Sequence, residues 1–156
     1  MPSTRPGPRY DALLALLRTA DVIWNASHAL FARWDLSPSQ FNILNLLGGC
    51  PEGLSQTDLG RRLVMHRSNL TGLVDRLEQR GLVARHESAG DRRAWRVRIT
   101  PAGTKVLGKI LPLYHAVAED VWGRLPVARV KSLGQDLSAL EERARQIEAR
   151  LEEEAS

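Results

Sequence analysis

The chain has 156 residues, enough for one domain with an ordinary core. Its 43% hydrophobic and 26% charged residues lie near globular averages, which argues against disorder, and no apolar run approaches the roughly 20 residues that span a bilayer. The net charge is +4 with a pI near 9.8, and the single cysteine, Cys50, excludes an intrachain disulfide.

The opening "MPSTRPGPRY" is Pro-rich and polar, so residues 1–10 are expected to fray. Nothing there resembles a signal peptide, and a soluble cytoplasmic protein with no membrane partner is the expectation. Over residues 11–34 apolar side chains recur at helical spacing (Leu13, Leu16/Leu17, Ala20, Ile23/Trp24, Leu30/Phe31, Trp34), which predicts one long amphipathic helix. Ser37, Pro38 and Gln40 then form the signature of a capping box with proline at the first helical position. That second helix carries Phe41, Ile43, Leu44 and Leu47 and stops at Gly48-Gly49.

Ser55 and Asp58 repeat the capping signal and predict a short helix over residues 56–63. A further helix is predicted over 67–80, with Leu70, Leu73/Val74 and Leu77 as its apolar face and Gly81 as its stop. Residues 82–87 and 94–100 read as two strands around the turn "SAGD". In the second strand Trp95, Val97 and Ile99 point one way, to hold the hairpin down. Arg96 and Arg98 point the other way, toward solvent or a partner. Thr100-Pro101 opens a helix that runs to about Trp122, Gly123 and Pro126 break it, and a last helix covers 127–153.

In that last helix Val130, Leu133, Leu137, Leu140, Ala144, Ile147 and Leu151 alternate at spacings of three and four, a heptad seam between charged flanks. Two readings stand open for it: an intramolecular core stripe, or a helix–helix seam with a partner.

Charge is unevenly placed. Residues 61–98 contain ten arginines, no lysine and four acids, a net +6 against +4 for the whole chain, so the rest of the chain is net negative. Arginine without lysine favours planar, bidentate contact with phosphates or base edges. The order helix, tight turn, helix, hairpin is that of a winged helix-turn-helix. Winged helices also serve as protein-interaction modules, so a basic face meeting an acidic protein partner is the alternative to DNA. The charge over these same residues favours nucleic acid.

The stretches "LSPSQFNILNLL", "LSQTDLGRRL", "SNLTGLVDRLEQRGLVAR" and "DRRAWRVRITPAG" together resemble the MarR family of bacterial transcription regulators, over residues 36–103. The resemblance implies a mainly α fold with a small β-hairpin wing, in which a winged helix-turn-helix lobe (36–100) is flanked by long dimerisation helices (11–34 and 101–153). Residues 11–156 would then form a single domain. It implies a homodimer, seamed in part by Leu133, Leu137, Leu140 and Ile147, acting as a repressor on a pseudo-palindromic operator.

On this resemblance the recognition helix starts near Arg67, and Arg67, Ser68, Asn69 and Thr71 are candidates for reading bases or holding phosphates. For Ser68 and Thr71 local capping or phosphate contact is an equal alternative. Arg76 and Arg80 would touch phosphates or else pair with Glu78 and Asp75 on the surface. The wing-tip arginine that enters the minor groove corresponds to Arg92 or Arg93, with Asp91 orienting one of them. Arg96 and Arg98 would line the outer face of the wing near the DNA backbone, with a solvated strand face as the alternative.

The sequence departs from the family pattern at Val64-Met65-His66, before the recognition helix, and at Gly72 within it. Cys50 has no basic sequence neighbour, and redox sensing is not expected there. Family members take small aromatic acids or phenols between dimer helices and DNA-binding lobe. The matching candidates here are Trp24, His28, Phe31, Trp34 and Phe41, each of which is also an ordinary core candidate. The urate-binding subgroup places an acid and an arginine where this chain has Asn42 and Leu73, so urate is not expected. The four histidines (28, 66, 86, 115) show no metal-ligand spacing, and no nucleotide-binding or hydrolase motif occurs. Neither an enzyme nor a cofactor is expected.

Overall fold

The structure is a computed structural model that describes residues 7–63, 67–88 and 91–154, and of residues 67, 68, 88 and 91–94 the backbone alone. The chain divides into two compact units, one up to Tyr114 and one from His115 onward.

The first unit opens with helix α1, Pro8–Phe31, capped by extended Gly7 and with Pro8 at its first position. The helix thus begins three residues before the sequence pattern suggests, because the fixed φ of proline is already helical and its missing N–H is not needed there. It also ends earlier. A 3-10 turn, Ala32–Trp34, replaces the last α-turn and leads into Asp35, whose φ of 53° is left-handed.

Helix α2, Pro38–Gly48, has the predicted capping box: Gln40 N–H donates to Ser37 Oγ at 3.2 Å, and Ser37 N–H donates to Gln40 Oε1 at 2.9 Å. Helix α3, Gln56–Leu63, starts the same way, with Asp58 N–H donating to Ser55 Oγ at 3.0 Å. Helix α4 follows as Arg67–Gln79. It ends in a Schellman arrangement: Gly81, at φ 67°, donates to Glu78 O, and Leu82 donates to Leu77 O. All three helix ends were readable because caps are local chemistry.

A two-residue strand β1, Leu54–Ser55, precedes α3 and is absent from the sequence reading. Strands β2, Val83–Ser88, and β3, Asp91–Ile99, form the hairpin. The sheet is antiparallel in the order β1-β3-β2, with Leu54 opposite Val97 and Val83 opposite Ile99. Pairing runs regularly to Glu87–Trp95 and then jumps to Ser88–Asp91, so residues 92–94 bulge out of the ladder. Asp91, expected in the turn, is already in β3.

Helix α5, Pro101–Trp122, begins with Gly103 N–H donating to Thr100 Oγ1 at 3.0 Å. The core of this unit includes Phe31, Phe41, Ile43, Leu44, Leu47, Leu59, Leu70, Val74, Leu77, Val83, Val97, Leu107 and Ile110, all buried. It packs α2, α3 and α4 on one face of the small sheet, and it fixes α4 and the hairpin as one lobe.

The second unit contains the end of α5 and helix α6, Val127–Glu154, entered through Gly123 at φ 57°. No residue of α6 is buried. Leu133, Leu140, Ile147 and Leu151 are 41–55% exposed, and Leu137 is half-buried. Within this unit most of the stripe is uncovered.

Candidate nucleic-acid interface

Helix α4 buries Leu70, Val74 and Leu77 at helical spacing, which turns Asn69, Arg76 and Gln79 outward. Thr71 is half-buried and its hydroxyl lies 3.4 Å from Gln56 Oε1 on α3, so it links the two helices of the motif. A Cβ at Gly72 would meet only Arg76 Nη2, at 4.0 Å, an ordinary van der Waals contact. Arg76 folds back along the helix and donates from Nε to Gly72 O at 3.1 Å. Arg67 and Ser68 lie in α4 by backbone, but their side chains fall outside the described residues, as does the stretch Val64-Met65-His66 with its expected weak cap.

The surface pairs proposed for Arg76 and Arg80 belong to a different arginine. Arg85, on β2, donates to Asp75 Oδ1 at 2.5 Å and to a Glu78 carboxylate oxygen, while its own backbone N–H donates to Glu78 Oε1 at 2.9 Å. Burial disfavours its charge, but the hydrogen bond to Asp75 and the Glu78 carboxylate outweigh that and raise the guanidinium above its ordinary value. Sequence reasoning missed Arg85, although a signal existed. Period-two alternation places it on the same strand face as Val83, and a charged side chain on an inward face needs a partner.

Arg80 takes a third course. Its guanidinium donates to Asp35 O and, at 2.8 Å, to Trp34 O, capping the turn that ends α1, with the Asp35 carboxylate 3.9 Å away. The C-terminal ends of α4 and α1 are thereby joined.

Arg96 and Arg98 were expected to face solvent or a partner, and instead they face the turn before β1. Arg96 donates to Glu52 O at 3.0 Å and to Gly53 O at 2.7 Å. Arg98 donates to Glu52 O at 3.2 Å and to its carboxylate at 3.1 Å. The physical reason is β1 itself, which covers the edge of β3 that a two-stranded hairpin would leave open. Trp95 also departs from expectation. Val97 is buried and Ile99 half-buried, but Trp95 on the same face is 49% exposed, because β3 extends beyond the core there. The side chains of Asp91, Arg92 and Arg93 fall outside the described residues; their backbone lies at and within the bulge.

The proposed ligand candidates separate into two groups. Phe31 and Phe41 are buried and stacked with centroids 4.3 Å apart, and Tyr114 leans on both at 5.7 and 4.8 Å. Trp34 packs partly against the same core. Trp24 and His28 instead form an exposed edge-to-face pair on α1, 6.1 Å apart. Arg62 Nη1 lies 3.6 Å from Cys50 Sγ, a basic neighbour supplied by the fold and not by the sequence. Among the described residues no group of His, Cys, Asp or Glu could hold a metal, and no helix is long and apolar enough to cross a membrane.

Helices α2 to α4 on a three-stranded sheet whose last hairpin projects beyond the core define a winged helix-turn-helix. A profile of the MarR family matches residues 34–94. The chain is 34% identical over 99 residues to the transcriptional regulator HosA of Escherichia coli, covering 60% of this chain and 73% of that one. It is 32% identical over 95 residues to the E. coli K12 transcriptional repressor MprA, covering 61% and 54%. Among solved structures, CouR of Rhodococcus jostii RHA1, bound to p-coumaroyl-CoA, superimposes with a TM-score of 0.79 at 23% identity, over 87% of this chain and 95% of that one. The chain belongs to the MarR family of transcriptional regulators, a class of regulators and not of enzymes.

Proposed function

We propose that this regulator is a homodimeric, sequence-specific repressor on a pseudo-palindromic double-stranded operator, released by a small aromatic or phenolic ligand. The observation that carries the reading is the coincidence of charge and geometry. The net +6 of residues 61–98 falls on α3, α4 and the hairpin, whose outward residues include Asn69 and Arg76. Helix α4 enters the major groove, with Arg67, Ser68 and Asn69 at its leading end, and Arg92 or Arg93, oriented by Asp91, enters the adjacent minor groove. Thr71 serves to position α4, since its hydroxyl is turned to Gln56. Arg96 supports the wing and contacts DNA at most with the donors its carbonyl partners leave over.

The exposed leucine seam of α6 supports dimerisation, as does the apolar surface of α1, where Leu13, Leu17, Val22 and Ile23 are exposed. Two-fold symmetry then sets two α4 helices about one DNA turn apart. Trp24 and His28 are the aromatic pair that a ligand can reach, and the aromatic acyl group of the ligand held by CouR is of the right class. A ligand that prefers the dimer shape unsuited to the operator shifts the population away from DNA.

Selection of duplexes from a randomised pool, followed by titration at several salt concentrations, tests the reading. A pseudo-palindromic site, bound with a salt slope of about −0.9 per neutralised phosphate, is expected. Binding to no duplex, or equally to scrambled ones, refutes it. Replacing Arg92 and Arg93 by alanine should weaken binding by tenfold or more, at about 1.4 kcal/mol per tenfold, and make the slope shallower by roughly one to two units. Unchanged affinity would remove the wing from the interface.

A further inference from the structure

Trp95 is half-exposed although Val97, its neighbour on the same strand face, is fully buried. Its direction is fixed from the opposite face, where Arg96 and Arg98 are fastened to the carbonyl oxygens of Glu52 and Gly53. Trp95 is also the last β3 residue in regular pairing before the bulge of residues 92–94. It therefore stands at the base of the arginine-bearing tip, two residues from Arg93 in the chain. Among the described residues no ring lies against it and no hydrogen bond uses its indole N–H. An indole left half in water is the kind of side chain that interfaces bury.

The surrounding charge selects the partner. The segment is net +6, which favours a polyanion. The residue directly across the strand pair, however, is the exposed acid Glu87. Trp95 is thus not placed to serve a phosphate through neighbouring charge; it offers a flat apolar face and one N–H donor. A deoxyribose flanked by phosphate oxygens is complementary to that pair of properties.

We infer that Trp95 lays its indole on the sugar–phosphate wall of the groove that the wing enters, the ring against deoxyribose and Nε1–H donated to a phosphate oxygen. The inference rests on the DNA-binding reading and deepens it. Such a contact displaces no counterion, so it adds affinity without adding salt dependence, unlike the arginines beside it.

The test uses the full chain and a duplex selected by the wild type. Trp95→Ala should weaken binding about tenfold while the salt slope stays that of the wild type, and Trp95→Phe should keep most of the affinity. The emission lost in Trp95→Phe, taken as the difference from wild type, should be quenched or shifted on adding duplex. Equal affinity of Trp95→Ala and wild type overturns the inference and leaves the DNA-binding reading intact, whereas a wild type that binds no duplex overturns both. If Trp95→Ala misfolds, the fluorescence difference decides: a Trp95 signal indifferent to duplex overturns the assignment. A change in assembly mass on Trp95→Ala also overturns it, by placing the indole between copies of the chain.

Discussion

Arg85 carries the junction between α4 and the hairpin, since it holds Asp75 and Glu78 of α4 from β2 with its side chain only 23% exposed. Replacing it by alanine strands two carboxylates and should cost about 2 kcal/mol of unfolding free energy in urea titration. Lysine, which cannot span both acids in one plane, should recover only part of that. A loss below about 0.5 kcal/mol would mean that the cluster behaves as a solvated surface pair. Asp58 offers a pH-dependent counterpart. The Ser55 hydroxyl donates to its carboxylate at 2.7 Å and, with Arg61 and Arg62 nearby, holds it below its ordinary value of 3.8. A depressed carboxylate stabilises the fold above its unfolded value and loses that stabilisation as pH falls through the folded one. The wild type should therefore lose thermal stability below about pH 4 more steeply than Ser55→Ala does, whose melting temperature should already be lower at pH 7 because its cap is gone. Parallel curves would show that Ser55 does not act on the carboxylate.

At the level of elements, helix boundaries were legible wherever a cap announced them, at Ser37, Ser55, Gly81 and Thr100, because the chemistry lies within three or four residues. What was not legible depends on distant partners. β1 has two residues and no alternation to detect, and it exists because Gly53 lets the chain approach β3. Its φ is 69°, and a Cβ there would lie 2.5 Å from Val97 O. Gly53→Ala should accordingly cost about 2 kcal/mol or more through strain and a steric clash, whereas Gly134→Ala, inside α6 and facing open space, should stabilise by up to about 1 kcal/mol. Calorimetry on the two variants checks both signs. The missing strand also explains the misreading of Arg96 and Arg98. A hairpin read as two-stranded leaves their side unoccupied, and the turn that occupies it lies more than forty residues earlier in the chain.

For the molecule as a whole, charge polarity and the heptad seam were both visible as patterns in the sequence, but whether the seam was core or surface was not. Within the unit that carries them, Leu133, Leu140 and Ile147 are exposed, as a seam for a second copy requires. Leu140→Glu should yield monomers by sedimentation or light scattering, with helical content retained, and should bind a full operator far more weakly than the wild type, since two half-sites no longer act together. A stable dimer from that variant would locate the interface elsewhere. The aromatic candidates show the opposite limit. Their periodicity in α1 was plain, yet Phe31 turned inward to Phe41 and Tyr114 while Trp24 and His28 stayed outside, a division set by where α2 and α5 lie.

The two-residue β1 has a kinetic consequence. Its pairing with β3 joins positions 43 residues apart, while β2 and β3 meet across a tight hairpin and α4 meets β2 across Gly81. Closing the longer loop carries the larger entropy cost and is held by few backbone bonds. During folding the α4–β2–β3 segment should assemble first and β1 should dock last. In the native protein the amides of Leu54 and Ser55 should exchange with solvent by a local opening that leaves the hairpin closed. The wing would then have two mechanical states, braced and unbraced, and the bonds of Arg96 to the Glu52 and Gly53 carbonyls belong to the first.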